Sequence, residues 1–144
     1  MIDHGHNGFE IPPGPLAGWG ADTALLGQLV GAAFDECPSC PEALLALVGE
    51  SAPTTAQLVE RACAAVIDTL GGIPVDLADV ANVDSPVPIG FRRLALTVAE
   101  RGGPAELAAQ SEGLSVADRH AAARTATAVF VSEIRAGNQQ LRRV

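Results

Sequence analysis

ADTALLGQLVGAAFDECPSCPEALLALVGE, residues 21–50, is the stretch on which the fold turns. Leu25, Leu26, Leu29, Val30 and Ala33 recur at the spacing that puts side chains on one face of a helix. Asp22 or Thr23 supplies a cap, because a short oxygen-bearing side chain satisfies one of the unpaired amides at a helix start. The helix is expected to stop near Glu36, before Cys37-Pro38-Ser39-Cys40-Pro41. Pro41 suits the first turn of a second, shorter helix carrying Leu44, Leu45 and Val48.

The same reading extends outward. Residues 49–53 break the pattern, and Thr54 or Thr55 is expected to cap a third helix with the stripe Leu58, Val59, Ala62, Cys63, Val66 and Leu70. Gly71, Gly72 and Pro74 end it, and a connection follows to Pro88 with one short helical turn at residues 77–81. A helix over roughly 89–101 buries Phe91, Leu94, Ala95 and Val98. Gly102-Gly103-Pro104 opens a short helix containing Leu107. A long helix then starts near Val116 with the stripe Val116, His120, Ala123, Thr127, Phe130 and Ile134, and Leu141 farther on. Residues 1–20 are rich in Gly and Pro without periodicity and read as an irregular arm.

The predicted fold is therefore all-α: one domain over residues 21–144, built from two similar three-helix units, 22–72 and 85–137. At an offset of 63 residues Gly27 falls on Gly90, Pro41 on Pro104, Leu44 on Leu107 and Arg61 on Arg124. Duplication accounts for the repeated layout, each unit covering the other's apolar face.

Composition agrees. The apolar residues are mostly Ala, Leu and Val, with four Phe, one Trp and no Tyr, which suits closely approaching helices. No run of about 18 apolar residues predicts a membrane span. The N-terminus lacks the basic and apolar regions of a secretory signal, and three cysteines suit a reducing compartment, so the expected location is cytoplasmic. Residues 1–84 hold twelve acids against Arg61 alone, whereas residues 85–144 hold eight arginines against five acids. A formal net charge of −8 argues against sequence-independent nucleic-acid binding. The polarity suits subunits that meet head to tail, or simply two solvated faces of different composition.

Cys37 and Cys40 are the candidate catalytic residues. Cysteines three apart at a helix start come within the Cα separation of about 4.4–6.8 Å that a disulfide needs. The positive end of the helix dipole favours a thiolate there, while Asp35 and Glu36 oppose it. Three readings stay open: a redox pair, a zinc site completed by His4 and His6, and a purely structural pair. No cofactor and no resident metal are expected. Cys63 reads as a small core hydrophobe. His120 reads as an interior or interface histidine, and Asp76, Asp79 and Asp84 as solvated charges. No P-loop, dinucleotide fingerprint or nucleophile elbow is present.

The helix running into CPSC, the short helix after it, and the segment AELAAQSEGLSVADRHAAARTATAVFVSEI resemble the alkylhydroperoxidase D-like and carboxymuconolactone decarboxylase family. The likeness covers roughly residues 22–137. It implies an all-α, internally duplicated fold, a trimer or hexamer, and a CxxC pair that reduces peroxides and is regenerated by a thiol partner. Cys37 would then be the resolving thiol and Cys40 the attacking one. Redox members carry a His four residues after the second cysteine and a Glu in the preceding helix; here those places hold Leu44 and the neighbourhood of Leu25.

Three functions follow as expectations. The first is a thiol–disulfide redox protein, a weak or degenerate peroxidase served by a thiol reductant. The second is a non-enzymatic helical scaffold or complex subunit, and the Ala-rich stripes suit a homo-oligomer, trimer or dimer. The third is a helix-turn-helix DNA-binding protein with Arg119 and Arg124 on the second helix; net charge and an overlong turn weigh against it.

Overall fold

The computed structural model describes residues 8–137 and 142–143. The chain is predominantly helical. The helices are α1 (Thr23–Phe34), α2 (Cys40–Glu50), α3 (Ala52–Leu70), α4 (Val75–Ala78), α5 (Ile89–Ala99), α6 (Pro104–Glu112) and α7 (Val116–Arg135). Phe9–Glu10 (β1) pairs antiparallel with Arg142–Arg143 (β2). Among the described residues no helix is long and apolar enough to cross a membrane.

Local chemistry explains the helix limits. Asp22 caps α1, its carboxylate accepting from the Leu25 amide at 3.0 Å. Ser51, rather than Thr54 or Thr55, caps α3 by accepting from the Thr54 amide, and Pro53 sits in the first turn. The two threonines are used elsewhere: Thr54 accepts from the Asp22 amide, and Thr55 donates to the Val48 carbonyl. α1 ends where Glu36 takes a φ of +56°, which turns the Glu36 and Cys37 amides back onto the Ala33 and Ala32 carbonyls. α5 ends the same way at Arg101, φ +59°, with the Arg101 and Gly102 amides on Val98 and Thr97. Such 5→2 and 6→1 bonds satisfy carbonyls that a helix end leaves open.

The two longest helices, α3 and α7, pack together, with α2 and α5 also against α7. Leu26, Leu29, Val30, Leu58, Val59, Ala62, Leu94, Ala122, Ala126 and Phe130 form a continuous core. Residues 8–20, read from the sequence as an irregular arm, add Phe9, Ile11 and Leu16 to that core. The Leu16 amide is held by the buried Gln57 side chain at 2.7 Å.

The inward face of α7 departs from the expected stripe. Val116 is exposed and His120 half-buried, while Arg119, Ala122, Ala123, Ala126, Thr127, Phe130 and Glu133 are buried. An apolar count misses this because Arg119 and Glu133 take inward positions by hydrogen bonding. Leu141 lies outside the described residues.

α5 approaches α7 closely at Gly90, where a Cβ would lie 2.9 Å from the Asp118 carbonyl oxygen, a backbone atom with little freedom to yield. Gly90→Ala is expected to lower stability by about 1–3 kcal/mol in urea unfolding. Gly72→Ala, at a site with nothing within 4 Å, is expected to change it by no more than about 0.5 kcal/mol.

Candidate functional site

Cys37 and Cys40 face each other across the α1–α2 junction, Sγ to Sγ 2.7 Å. The left-handed turn at Glu36 ends α1 and directs the chain back, Pro38 and Ser39 span the gap, and Cys40 is the first residue of α2. Both cysteines are thiols. Cys37 is buried, 9% exposed, and Cys40 is half-buried, so an incoming reagent meets Cys40 first.

The Cys37 sulfur, above all, pushes the Cys40 thiol above its ordinary range; partial burial and the Cys37 charge add to this, and the Ser39 hydroxyl opposes it. Two thiols this close titrate as a pair. The first proton to leave yields a thiolate to which the remaining S–H bonds, and the second is held back. The helix start therefore does not by itself give two ionised sulfurs.

Two arginines of α7 bracket the pair. Arg135 lies 3.3 Å from the Glu36 carboxylate and over the Phe34 ring, 5.5 Å from its centroid. Arg124 grips Glu42, two residues beyond Cys40, through both oxygens at 2.7 and 3.2 Å. The Arg124 hydrogen bond, first of all, holds the Glu42 carboxyl below its usual range. Glu36, which the sequence sets against thiolate formation, is thus matched by a cation from a helix far along the chain. His120 joins this edge, Nε2 3.8 Å from Glu42 Oε2 and without a hydrogen-bond partner.

Other candidates separate. Leu44 is buried in the core, and Leu25 of the preceding helix packs partly buried against it. Cys63 lies inside α3, remote from the pair in chain and buried. His4 and His6 fall outside the described residues, and among those described no three His, Cys, Asp or Glu side chains gather as a metal site. Arg119 is buried, its guanidinium donating to the Gly49, Ser111 and Leu114 carbonyls, so it is not presented to a nucleic-acid groove. Arg124 is exposed but engaged with Glu42. A shallow open cleft of about 310 Å³ lies between α5 and α6, lined by Arg93, Thr97, Glu106, Ala109, Gln110 and Gly113, away from the cysteine pair.

Sequence reasoning missed the bracket because ion pairing between residues about a hundred positions apart leaves no local pattern. The one available signal was compositional: arginines confined to the second half, acids crowded in the first.

Burial, with the Glu60 charge second, pushes the Cys63 thiol up to about 12. The unfolded chain ionises this thiol at its ordinary value, about 8.5. The stabilisation is therefore complete below that pH and is lost as pH rises toward 12, a loss approaching about 5 kcal/mol. Cys63→Ala is expected to cost about 1 kcal/mol at pH 7. Urea midpoints for wild type and variant should then meet near about pH 9–10, with wild type falling below the variant at higher pH.

Comparison of the chain with family models, with curated proteins and with solved structures gives no match.

Proposed function

We propose that this chain is a thiol–disulfide redox protein in which Cys40 attacks and Cys37 resolves. The carrying observation is the 2.7 Å approach of two thiols with unequal exposure at a helix start. In the reaction the Cys40 thiolate takes the distal oxygen of a hydroperoxide, giving a sulfenic acid and releasing an alcohol once a proton is supplied. Cys37 displaces water from that sulfenic acid and closes the disulfide, which a dithiol or two thiol reductants reopen. Two electrons leave the cysteine pair and two enter the peroxide, so the step balances.

The resemblance to the alkylhydroperoxidase D-like family and a duplicated origin belong to this proposal. Helix ends at Glu36 and Arg101, prolines at 41 and 104, and serine caps at 51 and 115 support a repeat. Their offsets are 65, 63 and 64 residues, so the two units differ by two residues at the CPSC junction. On this reading the first unit acquired its chemistry where the second keeps a bare Gly-Gly-Pro link. We further assign the protein to a reducing cytoplasm as a homo-oligomer.

A second reading, a helical scaffold without turnover, is favoured by one observation: Leu44 is a core residue and Leu25 packs against the core, leaving no proton carrier at the places where the family has one. A thiol count on native protein separates the two. Loss of two thiols on mild hydrogen peroxide and their return with dithiothreitol supports the redox function; three thiols unchanged under peroxide supports the scaffold.

A further inference from the structure

We infer that the surface formed by the end of α3, α4 and the loop to residue 84 is a docking face for a basic segment of another protein, one presenting arginine or lysine beside aliphatic side chains.

The exposed large hydrophobic residues of the described chain are concentrated there. Ile67 and Leu70 stand one turn apart at the end of α3, Val75 begins α4, and Val80 and Val83 lie on the loop. Leu70, Val75 and Val83 are 67%, 77% and 92% exposed. Single exposed aliphatics need no explanation, but five within seventeen residues do.

The loop carrying two of them is anchored rather than loose. The Arg92 guanidinium, buried in α5, donates to the Val87, Asp79 and Asn82 carbonyls at 2.8, 2.8 and 2.9 Å. Asp79 and Asn82 side chains each accept a nearby backbone amide, fixing two further turns. A buried cation thus holds this loop in a shape that leaves Val83 in water. A loop held that way meets a partner without a large ordering cost.

Charge selects the partner. Asp68, Asp76, Asp79 and Asp84 are interspersed with these apolar residues along the chain, and no Lys, Arg or His occurs from residue 62 to 91. Asp76, Asp79 and Asp84 make no ion pair with an arginine among the described residues and Asp68 acts on Arg61 only at longer range, whereas Glu36, Glu42 and Glu60 each hold an arginine directly. Exposed aliphatics interspersed with acids, within a half-chain carrying a single arginine, favour a segment that brings cations beside aliphatic side chains. This face is independent of the cysteine pair.

The probe is a labelled amphipathic helical peptide of about 18 leucine and arginine residues, with a leucine–glutamate peptide as control, followed by fluorescence anisotropy. The arginine peptide is expected to bind and the glutamate peptide not. Burying an aliphatic side chain is worth about tenfold in affinity, so Leu70→Ser with Val83→Ser should weaken binding about a hundredfold at unchanged Tm. Asp68→Asn with Asp76→Asn should weaken it several-fold and flatten its salt dependence. Absence of binding, equal binding of both peptides, or binding untouched by the serine pair overturns the inference. Light scattering reads one further outcome: a dimer that the serine pair dissociates, without peptide binding, gives the face to a second copy of the chain and overturns it as well.

Discussion

Replacing Arg119 with methionine is expected to remove about 3–5 kcal/mol of stability. The guanidinium sits inside the packing of α7 against α2 and α6. It donates to Gly49 O at 2.7 Å, Ser111 O at 3.1 Å and Leu114 O at 2.7 Å. Gly49 lies in the last turn of α2, where carbonyls lack a partner within their own helix, whereas Ser111 O, at the end of α6, also accepts from the Leu114 amide at 3.1 Å, and Leu114 is in the turn that follows. One cation therefore closes two helix ends, at the negative poles of both. Methionine fills much of the volume but donates nothing, leaving three carbonyls without that donor in a site that water reaches poorly. For a chain of this length the loss should lower Tm by roughly 10–15 °C. Arg119→Lys recovers part of it, since an ammonium lacks the planar fork that reaches three oxygens at once. Chemical denaturation of the three proteins checks the order; a methionine variant within 1 kcal/mol of wild type would show that the clamp contributes little.

Arg119 also marks where the sequence stopped being readable. The helices themselves were legible because Leu26, Leu29 and Val30 in the first, and Leu58, Val59 and Ala62 in the third, recur at the period that burial imposes. Glycine, proline and capping residues then set most ends to within a residue or two, though α3 is capped three residues before the nearer of the two expected threonines. The inward face of the last helix was not legible at its start. Hydrophobic periodicity credits only apolar residues, and the inward position in that first turn belongs to a cation satisfied by carbonyls from two other helices. Val116 was credited with a core place for the same reason and stands in solvent. The irregular N-terminal segment was silent on burial: Phe9, Ile11 and Leu16 have no shared period, yet each is buried, because an irregular segment can fill the core without repeating.

At the site, chain proximity carried the information. Two cysteines three residues apart, with a proline opening the next helix, are enough to bring sulfurs together, and they meet at 2.7 Å. What surrounds them comes from α7, about a hundred residues away. The pairing of Glu36 with Arg135 opposes one of the two acids that the sequence sets against a thiolate, and Arg124 matches Glu42 on the other side of the pair. The remaining restraint on ionisation is the second sulfur itself, which acts on Cys40 more strongly than any other group there.

Unequal exposure of the pair leads to the other large effect, a loss of reactivity rather than of stability. With Ellman's disulfide, the Cys40 thiolate of the wild type is expected to attack and release one thionitrobenzoate, leaving a mixed disulfide on Cys40. Cys37, already in contact, displaces the second and closes the Cys37–Cys40 bond, so two thionitrobenzoates leave rapidly and none stays bound. In Cys37→Ser the first step survives and the second has no nucleophile; one thionitrobenzoate leaves and the mixed disulfide persists, visible as added mass. In Cys40→Ser the rapid phase disappears, because the sulfur that remains there is the buried one, and peroxide-dependent thiol loss disappears with it. Cys63, buried and ionising only near 12, stays silent at neutral pH in all three proteins, so the count is not confused by a third thiol. The reverse pattern, rapid reaction in Cys40→Ser and a persistent adduct on Cys37, would exchange the two roles. Slow reaction at both positions in the wild type would mean that the contact between the sulfurs serves packing alone. Serine keeps the size of the thiol nearly unchanged at a junction fixed by Glu36 and Pro41, so unfolding is not the expected cause of a null result. Matching urea midpoints establish that directly.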